Sequence, residues 1–257
     1  MKNTKINKLI KDGYFKFKLN KELFLKNLKI LKNIINKKIK SKYDLESFHN
    51  YCAVSNLNDL RLYVFKEINK NKQFKSNLFD SSKENIELCV GSELCNSDIN
   101  LSIQYPNDTS SLLDMHTDFF SGESLFQVNL WVPFVNVKKT QSLFIINPKN
   151  SIEILKEIRN KKKILFKSLM KKNKKKMKWI DVKKGEAIIF SPNCLHGNIT
   201  NKEKYTRWSI NIRYKNLFSP YTNYGNEKQI GSFYKPLTVK GITNFNLVHN
   251  FDEIIKN

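Results

Sequence analysis

The sequence predicts an α+β fold in which N-terminal helices pack on the sheet of a jelly roll. Two observations lead to this prediction. Apolar residues follow helical spacing through most of residues 1–97, whereas from Asp98 onward they form short runs separated by turn-forming residues. The second region contains eight such runs, as many as the strands of a two-sheet jelly roll. We therefore expect a helical N-terminal extension, residues 1–97, and a jelly-roll core, residues 98–257.

The helical extension contains two amphipathic segments. Residues 22–39 and 58–68 both place apolar residues three or four positions apart, so each would form a helix with one apolar face. Helices of this kind cover one side of a sheet and bury its apolar surface. No pattern in this region indicates chemistry, and His49 is interpreted as a structural histidine rather than a metal ligand.

The predicted strands alternate with turns such as Pro106-Asn107-Asp108. They lie at about residues 98–105, 112–118, 125–134, 141–147, 177–182, 186–190, 195–200 and 206–215. The second and seventh strands of a jelly roll can lie side by side. A lysine-rich insertion at about 150–178 separates the fourth strand from the fifth. We expect a solvated helix face or loop there; contact with an anionic partner is the alternative.

The chain of 257 residues is strongly basic, with a formal net charge of +23. Such a charge is compatible with a nucleic-acid partner or an anionic surface. However, lysine, asparagine and isoleucine are all abundant, as expected when an AT-rich genome biases codon use. The lysine-rich insertion also lacks the interleaved aromatic residues that stack on bases. We therefore expect no nucleic-acid partner.

Cysteine spacing and hydropathy predict a soluble cytoplasmic protein. The four cysteines, Cys52, Cys89, Cys95 and Cys194, form no CxxC motif and no disulfide-framework spacing, which favours reduced thiols. No stretch approaches the roughly 20 apolar residues of a membrane-spanning helix. Cys194 is interpreted as a packing residue rather than a metal ligand.

A His-x-Asp pair, His116 and Asp118, lies in the second predicted strand. Residues two apart on a strand point to the same face, so an imidazole nitrogen and a carboxylate oxygen can meet at one point. His196 offers a third ligand from the seventh predicted strand. Two histidines and one carboxylate, with the remaining positions open, form the metal-binding triad of non-haem Fe(II) oxygenases.

An Arg-x-Ser pair, Arg207 and Ser209, follows the distal histidine. Strand alternation places the guanidinium and the hydroxyl on one face, where together they can hold a carboxylate. Arg213 continues the same face and is the competing candidate for that carboxylate. We favour Arg207, because only it has the serine partner.

Polar residues also alternate along the strand that follows the His-x-Asp pair. Gln127, Asn129 and Trp131 share one face, which is either exposed to solvent or lines the site. Gln104, on the first predicted strand, has the same two interpretations. We expect these residues and Arg213 to contact a substrate. Three aromatic residues near the end of the chain are expected to close over it: Tyr221, Phe233 and Tyr234.

Six motifs carry a resemblance to a known family. They are Ile103-Gln104-Tyr105-Pro106, His116-Thr117-Asp118 with Ser121-Gly122-Glu123-Ser124, Leu130-Trp131-Val132-Pro133, Cys194-Leu195-His196-Gly197-Asn198, Arg207-Trp208-Ser209-Ile210-Asn211 and Leu217-Phe218-Ser219-Pro220-Tyr221. Together they resemble the Fe(II)/2-oxoglutarate-dependent dioxygenases that are phytanoyl-CoA dioxygenase-like, and most closely the sporadic carbohydrate cluster group of bacterial oxygenases. The likeness covers roughly residues 98–236.

The resemblance implies a cupin-like double-stranded β-helix and an enzyme that uses Fe(II), 2-oxoglutarate and O2. It implies that His116, Asp118 and His196 hold the metal. Arg207 and Ser209 would then hold 2-oxoglutarate. The group's genetic context implies a carbohydrate-related small-molecule substrate, in cell-surface glycan or secondary-metabolite biosynthesis. Because lysines outnumber acids nearby in sequence, we expect that substrate to be anionic.

Two other function classes stay open at this point. A cupin-like metal enzyme that does not use 2-oxoglutarate would not need Arg207 and Ser209. A basic, non-catalytic binding protein would use the lysine-rich insertion, and loss of His116 would be harmless to it. The presence of Asp118 favours hydroxylation or another oxidation over halogenation, because related halogenases lack this carboxylate.

Overall fold

The computed structural model describes residues 2–159, 166–221 and 227–249. Its helices are α1 (Lys2–Asp12), α2 (Lys21–Asn36), α3 (Val54–Lys70), α4 (Lys72–Asp80), α5 (Lys83–Val90), α6 (Pro148–Arg159), α7 (Phe166–Lys172) and α8 (Gly241–His249). Its strands are β1 (Tyr14–Lys18), β2 (Leu94–Asn96), β3 (Asn100–Gln104), β4 (Gln127–Pro133), β5 (Phe144–Ile145), β6 (Lys178–Trp179), β7 (Glu186–Phe190), β8 (His196–Gly197), β9 (Arg207–Asn216) and β10 (Lys235–Thr238).

The strands form two antiparallel sheets. In the main sheet the order is β1-β7-β4-β9-β2-β10, and β3 pairs with β9 beside β2. The minor sheet has the order β6-β5-β8, and an isolated bridge joins His116 to His196 of β8. Residues of both sheets line one cavity. The α+β class and the jelly-roll core, a double-stranded β-helix, are therefore confirmed.

The N-terminal helices pack on the outer face of the main sheet, as predicted. The α2 helix begins after Asn20, whose side chain accepts a hydrogen bond from the Leu23 amide at 3.1 Å and caps the first turn. Its Phe24 ring stacks on Phe134 at 5.9 Å between centroids. Phe48 makes an edge contact with Trp208 of β9 at 4.9 Å. The main core thus lies between the helices and this sheet.

The N-terminal region also contributes strands that the helical interpretation missed. β1 pairs with β7 from Tyr14↔Phe190 to Lys18↔Glu186, and β2 pairs with β9. Phe15 and Phe17 are buried while the lysines between and after them are exposed, the alternation of a strand with one buried face. The main sheet therefore draws on both sides of residue 97. The proposed boundary between two domains stays a prediction.

The prediction of a regular strand at residues 112–118 is wrong. His116 makes only an isolated bridge, and Asp118 begins a short 3-10 helix, Asp118–Ser121. The predicted neighbour relation with the distal histidine is nevertheless present. The His116 amide donates to the His196 carbonyl at 2.9 Å, and the reverse bond measures 3.0 Å.

The lysine-rich insertion begins with α6 and α7, and residues 160–165 of it lie outside the described ranges. Ile154 of α6 is buried against a small cluster that includes Met115, Ile146 and Leu195. This cluster supports the minor sheet from outside. All four cysteines are free thiols. In the described parts of the chain, no helix combines the length and apolar composition that crossing a bilayer requires.

Candidate metal centre

The structure brings the three predicted ligands together. One ligand atom each from His116, Asp118 and His196 lies within 4.8 Å of the others. Asp118 Oδ1 is 3.3 Å from His116 Nε2 and 3.5 Å from His196 Nε2. Thr117 has extended backbone angles, φ −117° and ψ 143°, so the side chains before and after it turn to the same side. His116 and Asp118 therefore point to the same side, as predicted, even though they do not lie in a regular strand.

Both imidazoles are held so that one nitrogen stays free for a ligand. His116 Nδ1 lies 2.7 Å from the Asp114 carbonyl, and His196 Nδ1 lies 2.9 Å from the Cys194 carbonyl. A carbonyl oxygen only accepts, so each Nδ1 carries the proton and each Nε2 presents a lone pair. The Phe190 ring contacts the His196 ring at 5.0 Å between centroids. This orientation of imidazoles by carbonyls is typical of metal ligands.

The surroundings keep the Asp118 carboxylate ionised. Burial by itself raises the pKa of Asp118, but the neighbouring His116 and His196 side chains and the charge of Arg213 outweigh it and hold the pKa well below its usual range. Burial lowers the pKa of His116, yet its bonds with Asp118 and the Asp114 carbonyl raise it overall. Two imidazoles and one carboxylate are a donor set that suits Fe(II).

The three ligands open into a cavity of about 490 Å³ between the two sheets. The inward face of β9 forms one wall, through Arg207, Ser209 and Arg213. Alternate β9 residues, such as Trp208, face the helices instead. The alternation predicted for this strand is confirmed, and it places a possible carboxylate site in the same cavity as the possible metal site.

Arg207 is a buried cation without an acidic partner in the described ranges. Nη1 donates to the carbonyls of Gln141 and Ser142 at 3.2 Å and 3.4 Å, and Nη2 donates to Ser102 Oγ at 2.9 Å. Its Nε and the Ser209 hydroxyl are buried and have no hydrogen-bond partner in the part of the chain that the structure describes. Burial lowers the pKa of Arg207 to about 10. The site therefore has the positive charge of Arg207 and the unpaired hydroxyl of Ser209, and both are suited to bind a ligand carboxylate.

Arg213 has different surroundings. Its Nη2 lies 3.3 Å from Asp118 Oδ2, and its Nε donates to Glu123. Glu123 also accepts from Gln127 Nε2 at 2.8 Å and from Lys228 Nζ at 3.1 Å. The guanidinium of Arg213 is thus already paired with two carboxylates. Of the two arginines that compete for a ligand carboxylate, Arg207 is the one without an internal acid.

The residues expected to contact a substrate divide into two groups. Trp131 and Arg213 line the cavity. Gln104, Gln127 and Asn129 do not line it, which corrects their expected role as its polar wall. Asn129 Nδ2 instead bonds Asp118 Oδ2 at 2.8 Å, and Gln104 Nε2 bonds the Ile199 carbonyl at 2.7 Å. The amide nitrogens of these two residues are therefore used within the protein.

The aromatic residues near the chain end also differ from one another. Phe233 lines the cavity, as expected of a residue that closes over a substrate. Tyr234 is buried, and its hydroxyl donates to Gln127. Tyr221 is exposed and lies over the Lys215 ammonium, 4.1 Å from ring centroid to nitrogen. Of the three, only Phe233 belongs to the cavity wall.

Sequence reasoning missed several polar residues of the cavity, among them Ser102, Glu123 and Lys228. Glu123 lies in the Ser121-Gly122-Glu123-Ser124 motif, which contributed to the family resemblance, but the sequence predicted no role for it. Ser102 is opposite Ser209 in the β3–β9 register, which a sequence alone does not supply. Lys228 follows no pattern that separates it from the many other lysines of the chain.

No family model matches the sequence, and no curated protein matches it significantly. Solved structures do match in fold. The non-haem α-ketoglutarate-dependent carbocyclase SnoK from nogalamycin biosynthesis has a TM-score of 0.57 and 12% identity, over 92% of this chain and 96% of SnoK. EctD from S. alaskensis, solved with bound Fe, has a TM-score of 0.52 and 13% identity, over 84% of this chain and 77% of EctD.

A third structure, EvdMO1, has a TM-score of 0.57 and 14% identity over 84% of this chain. The match covers 50% of EvdMO1, so this chain spans about half the length of that protein. At these identities the likeness shows the fold. The jelly-roll fold that the resemblance implies is confirmed, whereas the 2-oxoglutarate oxygenase activity and the carbohydrate cluster group stay predictions.

Proposed function

We propose that this protein is a non-haem Fe(II)- and 2-oxoglutarate-dependent dioxygenase. The observation that carries the proposal is the pairing of two features in one cavity. A His/Asp/His cluster faces the cavity from the minor-sheet side. The guanidinium of Arg207, which has no acidic partner among the described residues, faces it from β9. A metal site alone does not need the arginine. A metal site that also binds an anionic, chelating cosubstrate needs a cation to pair with it. SnoK, which is similar in fold, is described as dependent on α-ketoglutarate, that is, 2-oxoglutarate.

The residues present fit this cofactor set. His116, Asp118 and His196 would hold Fe(II) through two nitrogens and one oxygen. Arg207 and Ser209 would hold the far carboxylate of 2-oxoglutarate, since both have unused buried donors. When bound, iron and cosubstrate supply O2 activation coupled to decarboxylation of 2-oxoglutarate. Leu101, Leu143 and Phe190 line the cavity with apolar groups that limit water near the cluster.

We further propose that the substrate is an anionic, sugar-related small molecule that becomes oxidised. Polar side chains in the cavity, such as Asn211 and Ser121, can bond hydroxyl groups. The Trp131 and Phe233 rings can pack on the apolar face of a sugar. Lys228 at the cavity wall is partly exposed, at 30%, and its ammonium pairs with Glu123 at 3.1 Å. These features support the carbohydrate hypothesis more than one built on acyl chains.

Succinate release across a panel of compounds tests the substrate class. Full-length protein with Fe(II), 2-oxoglutarate and O2 is supplied with nucleotide-linked or otherwise anionic saccharides, with amino acids, or with acyl-CoA compounds at matched salt. We expect the saccharides to give the largest stimulation. Stimulation by acyl-CoA or amino acids alone would reject the carbohydrate part and keep the oxygenase part.

The alternative classes make different demands on the same residues. A metal enzyme without 2-oxoglutarate would leave the Arg207 guanidinium buried without an anion, which is energetically unfavourable. A basic binding protein would give no reason for both imidazoles to be held by carbonyls with Nε2 free. Turnover that requires Fe(II) but is unaffected by omitting 2-oxoglutarate would favour the first alternative.

A further inference from the structure

The two oxygens of Asp118 have different surroundings. Oδ1 faces the imidazoles, 3.3 Å from His116 Nε2 and 3.5 Å from His196 Nε2. Oδ2 accepts hydrogen bonds from Asn129 Nδ2 at 2.8 Å and from Arg213 Nη2 at 3.3 Å. One oxygen is therefore directed toward the candidate metal position, while two donors from the main sheet hold the other.

We propose that Asn129 and Arg213 are positioning residues that keep Asp118 as a one-oxygen ligand of the metal. This inference rests on the proposed function, because it concerns the same metal centre. A triad of two histidines and one carboxylate is useful to an oxygenase because other coordination positions stay open. If Asp118 turned both oxygens toward the metal, it would occupy one of the positions that the cosubstrates need.

The sheet fixes both donors in place. Asn129 of β4 and Arg213 of β9 are direct cross-strand partners, so their side chains leave the sheet side by side on the same face. Both residues are buried. The register of the two central strands thus aims an amide and a guanidinium at a single oxygen of Asp118. A one-residue shift in register would direct both away from it.

Arg213 is also held from its other side. Its Nε donates to Glu123, which in turn accepts from Gln127 and Lys228. Two nitrogens of this guanidinium are thus bonded, each to a different carboxylate. The guanidinium cannot rotate freely, because its donors have a fixed planar geometry. The chain of contacts from Lys228 through Glu123 and Arg213 therefore ends at Asp118 Oδ2, close to the cluster but outside its ligand set.

Asn129 gives the cleaner test of the two residues, because Arg213 also neutralises Glu123. The amide nitrogen of Asn129 donates to Asp118, while its amide oxygen is buried and has no hydrogen-bond partner among the described residues. Asn129→Ala removes the donor. Asn129→Leu removes it and fills nearly the same volume, so it decides the matter if the alanine variant fails to fold.

The experiment measures Fe(II) affinity and the charge-transfer band of the Fe(II)–2-oxoglutarate complex, anaerobically, in the full-length protein. We expect both Asn129 variants to bind Fe(II) about 10- to 100-fold more weakly, as when groups that orient metal ligands are removed. We also expect the band to shift in wavelength, because a freed carboxylate changes the coordination. A merely structural asparagine would leave the band where it is.

Asn77→Ala is the matched control. Asn77 is a buried asparagine whose amide donates to Asn27 at 3.0 Å, in the helical layer and away from Asp118. It should cost stability but leave Fe(II) affinity and the band unchanged. Wild-type affinity and band in the Asn129 variants, or equal losses in Asn77→Ala, would overturn the positioning role alone. No band in the wild-type protein would overturn the proposed function itself.

Discussion

β9 carries two buried arginines whose surroundings are opposite. Arg213 lies between the carboxylates of Asp118 and Glu123, whereas Arg207 bonds two carbonyls and a serine hydroxyl and has no acidic partner in the described residues. Both are almost fully buried, at 8% and 3% exposure. Because they share a strand face and a cavity, the difference between them lies in their partners alone.

We interpret the difference as that between a charge neutralised within the protein and a charge that would pair with a ligand. Burying a cation is costly unless an opposite charge offsets the lost hydration. For Arg213 the protein supplies that charge itself. For Arg207 the described residues supply no such charge, and under the proposed function a bound carboxylate would supply it.

The largest expected effect comes from a variant that changes the candidate metal ligands and leaves both arginines unchanged. His116→Ala removes one ligand while leaving Arg207, Arg213 and their described partners in place. We expect Fe(II)-dependent succinate release to fall to background with the fold intact, because the jelly roll has its own core. His49→Ala is the control, since His49 bonds Thr206 and takes no part in the cluster. Retained 2-oxoglutarate decarboxylation in His116→Ala would remove the basis for the triad assignment.

The next effect concerns stability and separates the two arginines directly. Arg213→Met leaves Asp118 and Glu123 buried without their shared cation, and removing one partner of a buried ion pair costs about 3–5 kcal/mol. We expect the free energy of unfolding, measured with urea on metal-free protein, to fall by that amount. Arg207→Met strands no carboxylate, so its unfolding free energy should change much less. Equal losses of unfolding free energy in the two variants would show that the two arginines do not differ in their internal acidic partners.

Ligand binding should show the reverse order. Arg207→Met is expected to weaken 2-oxoglutarate binding by about 2–5 kcal/mol, the cost of removing one partner of a desolvated charge pair. Metal binding should stay close to that of the wild type. The measurement is the apparent 2-oxoglutarate constant at saturating Fe(II). If Arg213→Lys, which keeps a positive charge, raises that constant strongly and Arg207→Met does not, the assignment of the two arginines is reversed.

Ser209→Ala should have the smallest effect. Its hydroxyl would add one hydrogen bond to a carboxylate already held by Arg207, and a bond to a charged group contributes about 1.5–3 kcal/mol. We expect 2-oxoglutarate to bind more weakly by an amount at the lower end of that range. An unchanged apparent constant would restrict the carboxylate site to Arg207 and its neighbours on β3.

The His-x-Asp part of the candidate metal cluster was predictable from sequence, because its two residues lie close together along the chain and on one face of an extended stretch. His-x-Asp places two ligands on one side of an extended residue, and this holds at Thr117 even though the expected strand is replaced by a bridge and a short helix. Arg207 and Ser209 share a face for the same reason. Spacing along one extended stretch was sufficient for each of these pairs.

The roles of Asn129 and Glu123 were not accessible in this way. Asn129 acts on Asp118 because β4 pairs with β9 in one particular register, and Glu123 meets Arg213 across a long stretch of chain. A polar residue facing inward looks the same in sequence whether it contacts a ligand or another side chain. β1 was missed for a related reason: five residues between two helices gave too short an alternation to outweigh the helical pattern around them.

An anaerobic titration of the metal-free protein tests the central claim most directly, that one cavity binds Fe(II) and 2-oxoglutarate together. Fe(II) and 2-oxoglutarate are added separately and then in combination while the visible spectrum is recorded. We predict a metal-to-ligand charge-transfer band only when both are present, and its loss in Arg207→Met at the same concentrations. A wild-type protein that shows no such band, or an Arg207→Met variant that forms it as readily as the wild type, would contradict the account.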